Sequence, residues 1–328
     1  MYKKFNYLIH LIIRYLCDRF SFIIIDQKEK LNEKDIINWQ FQLNSKKQCI
    51  NNFFLKDLEH NLIPFADEIV NHHFIIFSRS YLIKRDNQKN SNEYQKIDWF
   101  NDKMNNKQFS HNYWYRLRVQ HPKGGEIKFP WELSRFQHAL ILGKAYIVTK
   151  DEIFTKAFIA QIRDWVIHNP VRYGINWSNT MEVGIRSATM SLGLLFFIES
   201  KELDQKFFNL FLKSMNEHGN HIYNNLENLQ SNNSNHYIGN LFGLFFIALI
   251  FSLFHESKKW LSFAQKELEK EIYDQTFEDG WGFESSVPYH KLITEMFLYC
   301  YILGKNLEAP FSKSFEQRLF LMLKNLFI

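Results

Sequence analysis

Four segments of the chain concentrate residue types that hold and react with charged, hydroxylated ligands. They are Phe129 to Arg135 (FPWELSR), Gly174 to Arg186 (GINWSNTMEVGIR), Ser231 to His236 (SNNSNH) and Asp279 to His290 (DGWGFESSVPYH). Tryptophan rings beside amides and arginines suit a sugar chain that carries carboxylates. Asn235 and His236 stand where a long apolar run begins. They therefore open a helix, whose free N–H groups and positive dipole end favour an anion. Each of these residues also has a plainer use. Asn is a frequent helix cap, and Tyr289, after Pro288, fits a packing aromatic at a helix start. Glu182 with Arg186, and Glu132 with Arg135, fit intrahelical ion pairs. Trp281 and Phe283 beside Gly280 and Gly282 fit a closed loop. His218 and His221 have a helical spacing that suits a metal, but no third ligand accompanies them and they read as solvated; His72 and His73 carry no stronger signal. No metal and no cofactor is expected.

The elements that must position these segments are helices. Apolar residues recur with helical spacing over 133–148, 151–168, 182–199, 204–226, 236–254, 258–276, 288–305 and 312–327. The connections alternate between tight (149–150, 200–203, 255–257) and long and polar (169–181, 227–235, 277–287). Helices joined by tight turns run antiparallel. The helices starting at 133, 182, 236 and 288 then all point one way, and their N-termini gather on one rim with the long loops. Long loops on a rigid scaffold are where sites are built. The expected fold is all-α, an α/α toroid (an incomplete α/α barrel of antiparallel helix hairpins) over residues 61–328, preceded by an irregular, amphipathic extension over 1–60. Asn- and Lys-rich runs such as Lys84 to Asn92 and Asn101 to Lys107 read as solvated loops.

Composition narrows the class further. The 328 residues are 46% hydrophobic and 23% charged, which excludes wholesale disorder. Twelve Gly and six Pro are sparse punctuation for an all-β chain, and 33 Phe must fill much of the interior. Forty Lys and Arg against 35 Asp and Glu give a net charge of +5, which suits acidic ligands without indicating nucleic acid. Cys17, Cys49 and Cys300 are odd in number and scattered, so no disulfide framework follows. The N-terminal basic-then-apolar run is interrupted by His10, Arg14, Asp18 and Arg19, unlike a signal peptide. Tyr237 to Phe254, the one charge-free stretch of near-spanning length, reads as a helix buried on nearly all sides, not as a membrane span.

The segments WELSR, INWSNTMEVGIR, SNNSNHYIGNLFGL and DGWGFESSVPYHKL together resemble the helical domain of the heparinase II/III-like and alginate-lyase-like polysaccharide lyases. The similarity runs over about residues 60–305 and is strongest from 128 to 292. The resemblance implies β-elimination at a uronic acid residue of an acidic polysaccharide. It implies that Asn235, helped by His236, neutralises the uronate carboxylate, and that Tyr289 moves the proton. A free Tyr titrates near ~10, so His290, Lys291 and Arg186 are candidate neighbours to activate it. Trp131, Arg135, Asn176, Trp177, Glu182, Arg186, Glu284 and His290 are the expected substrate-binding or cleft-ordering set.

Members of the family usually continue into a β-sandwich that closes the cleft and adds a histidine. Here the sequence ends in the apolar stretch Leu319 to Ile328, which reads as a docking surface for such a domain or for a partner chain in trans. The resemblance favours a bacterial periplasm or cell envelope, with the cytoplasm as alternative. Two other functions stay open at this point. One is a module that binds acidic glycan without cleaving it; the other is a glycoside hydrolase using Glu182 and Glu284.

Overall fold

A computed structural model of the protein describes residues 34–43, 61–84, 94–117, 124–228 and 233–327. The readings placed on His10, Arg14, Asp18, Arg19, Cys17, Cys49 and most of the Lys84 to Asn92 run lie outside these residues. The chain divides into two compact units, Met1–Asn38 and Trp39–Ile328. Of the first, residues 34–38 are described and are helical; all that follows concerns the second.

Helix α1 (Leu62–Val70) leads into two antiparallel hairpins, β1 (His73–Ile76) with β2 (Arg79–Leu82) and β3 (Asn101–Asp102) with β4 (Lys107–Gln108). A short helix α2 (Trp114–Leu117) follows. Then come α3 (Lys128–Ser134), α4 (His138–Thr149), α5 (Glu152–His168), a 3-10 turn (Ile175–Trp177), α6 (Thr180–Phe197), α7 (Gln205–Asn224), α8 (Asn235–Ile250), α9 (Ser257–Asp274), α10 (Val287–Asn306) and α11 (Lys313–Lys324). The helical starts are chemically marked. Asp151, Asn179, Asp204, Ser234 and Ser312 each accept an N–H from two or three residues onward, satisfying donors that the helix itself leaves free.

The expected alternation is present. A Cβ on Gly193 of α6 would lie 3.2 Å from Ala139 of α4, and one on Gly143 would meet Phe196, so α4 and α6 run parallel. Asn179 approaches His236 at 3.4 Å while Gly184 touches Gly239 and Gly243, so α6 and α8 run parallel. Asn235 bonds Glu284, and Phe245 approaches Gly304 further on, so α8 and α10 do the same. Helices α6 and α8 are buried on nearly every side, as read for 237–254, whereas α7 buries one stripe through Phe207, Phe208, Phe211, Leu212 and Met215. Among the described residues no helix is long and apolar enough to cross a membrane.

The α6–α8 contact is backbone against backbone. A Cβ on Gly184 would lie 2.1 Å from the Gly239 carbonyl oxygen, and one on Gly243 would lie 2.3 Å from the Gly184 Cα. Glycine at these positions lets the two helices meet at their N-terminal halves, which sets the spacing of the rim.

Two expectations are corrected. The single helix over 133–148 is broken at Arg135 to Gln137, where buried Phe136 adopts a left-handed φ of 58° and stacks on Trp99 at 5.3 Å. Asn101 to Lys107 is an ordered hairpin, not a solvated loop. Its fully buried Asp102 accepts from the Met104, Asn105 and Glu126 N–H groups. In the C-terminal apolar stretch Leu319 and Met322 are buried, while Phe320 and Leu326 are exposed.

Candidate active site

The N-termini of α6, α8 and α10 carry the site, and polar side chains tie them to one another. Ser234 caps α8, leaving Asn235 at its first position and His236 at its second. Asn235 is 5% exposed. Its Nδ2 donates to both Glu284 oxygens at 2.9 Å, and its backbone N–H donates to Glu284 Oε1 at 2.8 Å. The anion at this helix start is thus the protein's own carboxylate, carried by the loop before α10.

His236 pairs with an acid on the rim. Its Nδ1 lies 3.2 Å from Glu227 Oε1, and its side chain is 39% exposed. The Glu227 hydrogen bond outweighs burial and, with the charges of Glu227, Glu182 and Glu284, raises its pKa. Burial works to raise Glu227, but His236, the Asn240 amide and the Met181 N–H together hold its carboxyl below the usual range. Glu227 Oε2 accepts from Met181 N at 2.9 Å and from Asn240 Nδ2 at 3.1 Å, so this carboxylate joins α6 to α8.

A second cluster lies on α3 and α6. Arg135 grips Glu182 with two donors at 2.7 and 2.8 Å and reaches Glu132 at 2.6 Å. Burial opposes the Arg135 charge, but Glu182 and Glu132 outweigh it and hold the guanidinium ionised beyond its ordinary range. Burial raises Glu132, with Arg135 opposing and Glu182 adding to the rise. The break at Phe136 makes this grip possible. The chain turns away from α3 there, and the Arg135 carbonyl accepts from Thr189 Oγ1 of α6.

The expected residues therefore divide. Asn235, His236, Glu284, Arg135, Glu182 and Trp131 gather on the rim elements, with the Trp131 indole donating to the Ile175 carbonyl at 2.9 Å. Tyr289 stands on the first turn of α10, 45% exposed. Asn176, Trp177, Glu182, Arg186 and His290 are buried, with no face open to a polymer, so direct substrate contact is corrected for these five. Asn176 donates to Asn169 Oδ1 at 2.8 Å and to the Trp99 carbonyl at 3.1 Å, and Trp177 donates to the Asn169 carbonyl. They knot the 169–179 loop. His290 accepts from the Gly282 N–H at 3.1 Å through Nδ1, and Nε2 donates to the Met322 carbonyl at 3.1 Å. Both its nitrogens are committed away from Tyr289. Trp281 lies 4.8 Å from the His290 ring, so the loop-closing role read for it holds.

The i,i+4 pair of Glu182 with Arg186 is also corrected, because Glu182 pairs with Arg135 instead. Arg186 lies under the rim, its guanidinium 4.3 Å from the Trp165 ring centroid and 5.3 Å from that of Trp177. Its Nε donates to His218 Nε2 at 3.0 Å, while His218 Nδ1 donates to the Ser214 carbonyl at 2.7 Å. Burial lowers Arg186 to about 9, with Glu182 opposing, so it stays charged at neutral pH. Burial and the Arg186 charge push His218 well below its usual value, so it is neutral. His218 and His221 are thus interior residues, not solvated ones. Among the described residues no group of three or more His, Cys, Asp or Glu side chains is arranged to hold a metal ion.

Two residues of this network escaped the motif reading, Asn179 and Glu227. Asn179 caps α6 by accepting from the Glu182 N–H at 3.2 Å, and the Asn-x-x-Glu spacing is its signal. Glu227 is a lone acid in a long rim loop, and no pattern marks it.

The arrangement sets an amide and an imidazole at the start of α8 and a half-exposed phenol on the first turn of α10. The sequence profile described as Heparinase II/III N-terminus matches residues 44–326. A heparin-sulfate lyase from Pedobacter heparinus is 26% identical over 203 residues, covering 60% of this chain and 30% of its own length. One from Bacteroides stercoris is 23% identical over 235 residues, covering 66% and 34%. Among solved structures, heparan sulfate lyase HepC from Pedobacter heparinus matches with a TM-score of 0.57 at 19% identity, over 84% of this chain and 39% of that one. A heparinase III structure matches with a TM-score of 0.62 at 19% identity, over 82% and 38%. At such identities the solved structures share the fold. The chain spans about a third of the length of the curated relatives it matches. The profile runs through every rim segment, and on that match the chain belongs to the heparinase II/III N-terminal family.

Proposed function

We propose that the protein is the helical part of a polysaccharide lyase that cleaves a uronate-containing glycosaminoglycan of the heparan sulfate type by β-elimination. The observation that carries this reading is the Asn235 amide beside the His236 imidazole, whose pKa the Glu227 hydrogen bond raises, at one helix N-terminus. The names of the relatives support the substrate class.

The chemical obstacle is the weak acidity of the uronate C5 proton while its carboxylate stays negative. Asn235 donates to that carboxylate, and His236, whose Nδ1 is spent on Glu227, offers Nε2–H to it. Charge that builds toward the enolate is then held by donors already in place, together with the positive end of α8. Tyr289 takes the C5 proton, the electron pair forms the C4=C5 double bond, and the C4–O bond breaks. The departing oxygen takes up a proton, which the Tyr289 hydroxyl supplies. The expected neighbours for Tyr289 need revision. His290 and Arg186 are engaged in the interior, which leaves Lys291, exposed two residues further along the helix, as the nearby cation in sequence.

A hydrolase based on Glu182 and Glu284 gains nothing from this geometry. Glu182 is gripped by Arg135 and Glu284 by Asn235, so each carboxylate is filled with donors instead of being poised to give a proton.

The test is incubation with heparan sulfate, heparin and alginate while following the ultraviolet absorbance of unsaturated uronate ends. Absorbance that grows with wild type and is lost in Tyr289→Phe supports the reading. Saturated products, or activity indifferent to Tyr289→Phe, overturns it. Retention of the polymer without new ends assigns binding alone.

A further inference from the structure

We infer that Glu284 is a positioning residue for the elimination, acting through Asn235; this rests on the lyase reading above. A glutamate cannot bind a uronate carboxylate, since both are anions without a shared proton. Among the described residues its three hydrogen bonds instead all come from one residue. Asn235 gives it the backbone N–H at 2.8 Å and the side-chain Nδ2 at 2.9 Å from each oxygen.

The geometry decides what this does to the amide. The two oxygens of one carboxylate sit close together, so from Nδ2 they subtend a far smaller angle than the one between the two N–H bonds of a planar amide. Both oxygens therefore share one hydrogen, and the second N–H points away from Glu284. Among the described residues that nitrogen has no other acceptor. The opposite amide orientation would set Oδ1 against a carboxylate, so the carboxylate selects which atom Asn235 presents. It also ties the side chain to the helix's first backbone donor, which fixes its rotamer. A donor already aimed need not reorganise as charge develops on the substrate.

The carrier of Glu284 is itself braced. Phe283 N donates to the Gln275 carbonyl at 3.0 Å, Gly282 N donates to His290 Nδ1 at 3.1 Å, and Ser285 N donates to the Gly282 carbonyl at 3.1 Å. The carboxylate thus sits on a loop pinned on both sides of it, as an orienting group requires.

The experiment compares Glu284→Ala, Glu284→Gln and Asn235→Ala in the full chain, with kcat and KM on heparan sulfate and the side-chain amide signals of Asn235 by NMR. The expected result for Glu284→Ala is a kcat lower by about 10²-fold with KM little changed, the scale of a misplaced catalytic group. Glu284→Gln, which keeps one acceptor oxygen, recovers part of that loss, and Glu284→Ala adds nothing on top of Asn235→Ala. In the wild type one Asn235 amide hydrogen exchanges slowly and the other quickly; in Glu284→Ala both exchange quickly. Full kcat in both Glu284 variants, or a lower KM in Glu284→Ala, overturns positioning, the latter marking Glu284 as an occupant that substrate must displace. An inert wild type sinks the lyase reading alone, and the amide exchange still decides whether Glu284 orients Asn235. Equal exchange of the two hydrogens in the wild type sinks the orientation whatever the activity.

Discussion

Replacing Gly184 with alanine tests the feature that spaces the rim. In an ordinary helix the change is favourable by about 1 kcal/mol, because alanine gives up less backbone freedom. Here the new Cβ would lie 2.1 Å from the Gly239 carbonyl oxygen and 2.9 Å from its carbon, and both are backbone atoms. Reaching a contact of about 3.4 Å requires α6 and α8 to separate by roughly 1 Å along their buried seam. No rotamer change relieves this. Overpacking of this kind costs about 1–3 kcal/mol, and with two helix backbones facing each other the upper end applies. The clash wins, with a net loss of about 2 kcal/mol, which lowers Tm by roughly 4–8 °C. Gly193→Ala in the same helix is the control. Its Cβ would meet the side chains of Ala139 and Phe158 at 3.2 and 3.3 Å, and its effect stays within about 1 kcal/mol of wild type. Paired thermal melts of the two variants read the difference directly. If Gly184→Ala melts at or above wild type, the two backbones do not touch as described, and the spacing between Asn179 and His236 loses its cause.

Other outcomes follow from the same geometry. Arg135→Ala leaves the Glu182 carboxylate buried without its partner and should cost about 3 kcal/mol in urea unfolding, whereas Arg135→Lys, which keeps the charge but loses the two-donor grip, should cost less. Tyr289→Phe should lower elimination by about 10²–10⁴-fold while leaving Tm within a degree or so, because the ring is half exposed. The His236–Glu227 pair should give stability a bounded pH window. Its raised His pKa makes the contribution fade as pH rises through that value, and the lowered Glu pKa makes it fade as pH falls through that one. Melts across pH should show both limbs in the wild type, whereas His236→Ala should lose the upper limb and keep a reduced lower one, which the Asn240 and Met181 donors still support.

The helical plan was legible because apolar spacing and loop length are local properties. The rim's Asn235–His236 opening and the parallel set of α4, α6, α8 and α10 follow from them. The break at Phe136 was not legible, since nothing in its residue type announces a left-handed φ; Trp99, Thr189 and the start of α4 impose it. The fates of Arg186 and His218 were hidden for a related reason. Charged and titratable types read as solvent-facing, and only the meeting of Trp165, Trp177 and α7 makes an interior place for them. Glu284 was read as a substrate contact because its motif stands beside Tyr289. Its partner, 49 residues earlier in the chain, gives it a different role.

The guanidinium sealed behind two indole rings has a consequence for the charge balance beneath the rim. Surface lysines are surrounded by mobile counterions, and their pull on a ligand fades as ionic strength rises. Arg186 is fully enclosed, and among the described residues no carboxylate forms an ion pair with it, so dissolved ions cannot gather around it. Its charge is felt instead by buried Glu182, one turn nearer the start of α6, across protein that salt does not enter. The balance between these two buried charges is thereby set by the scaffold, not by the medium outside.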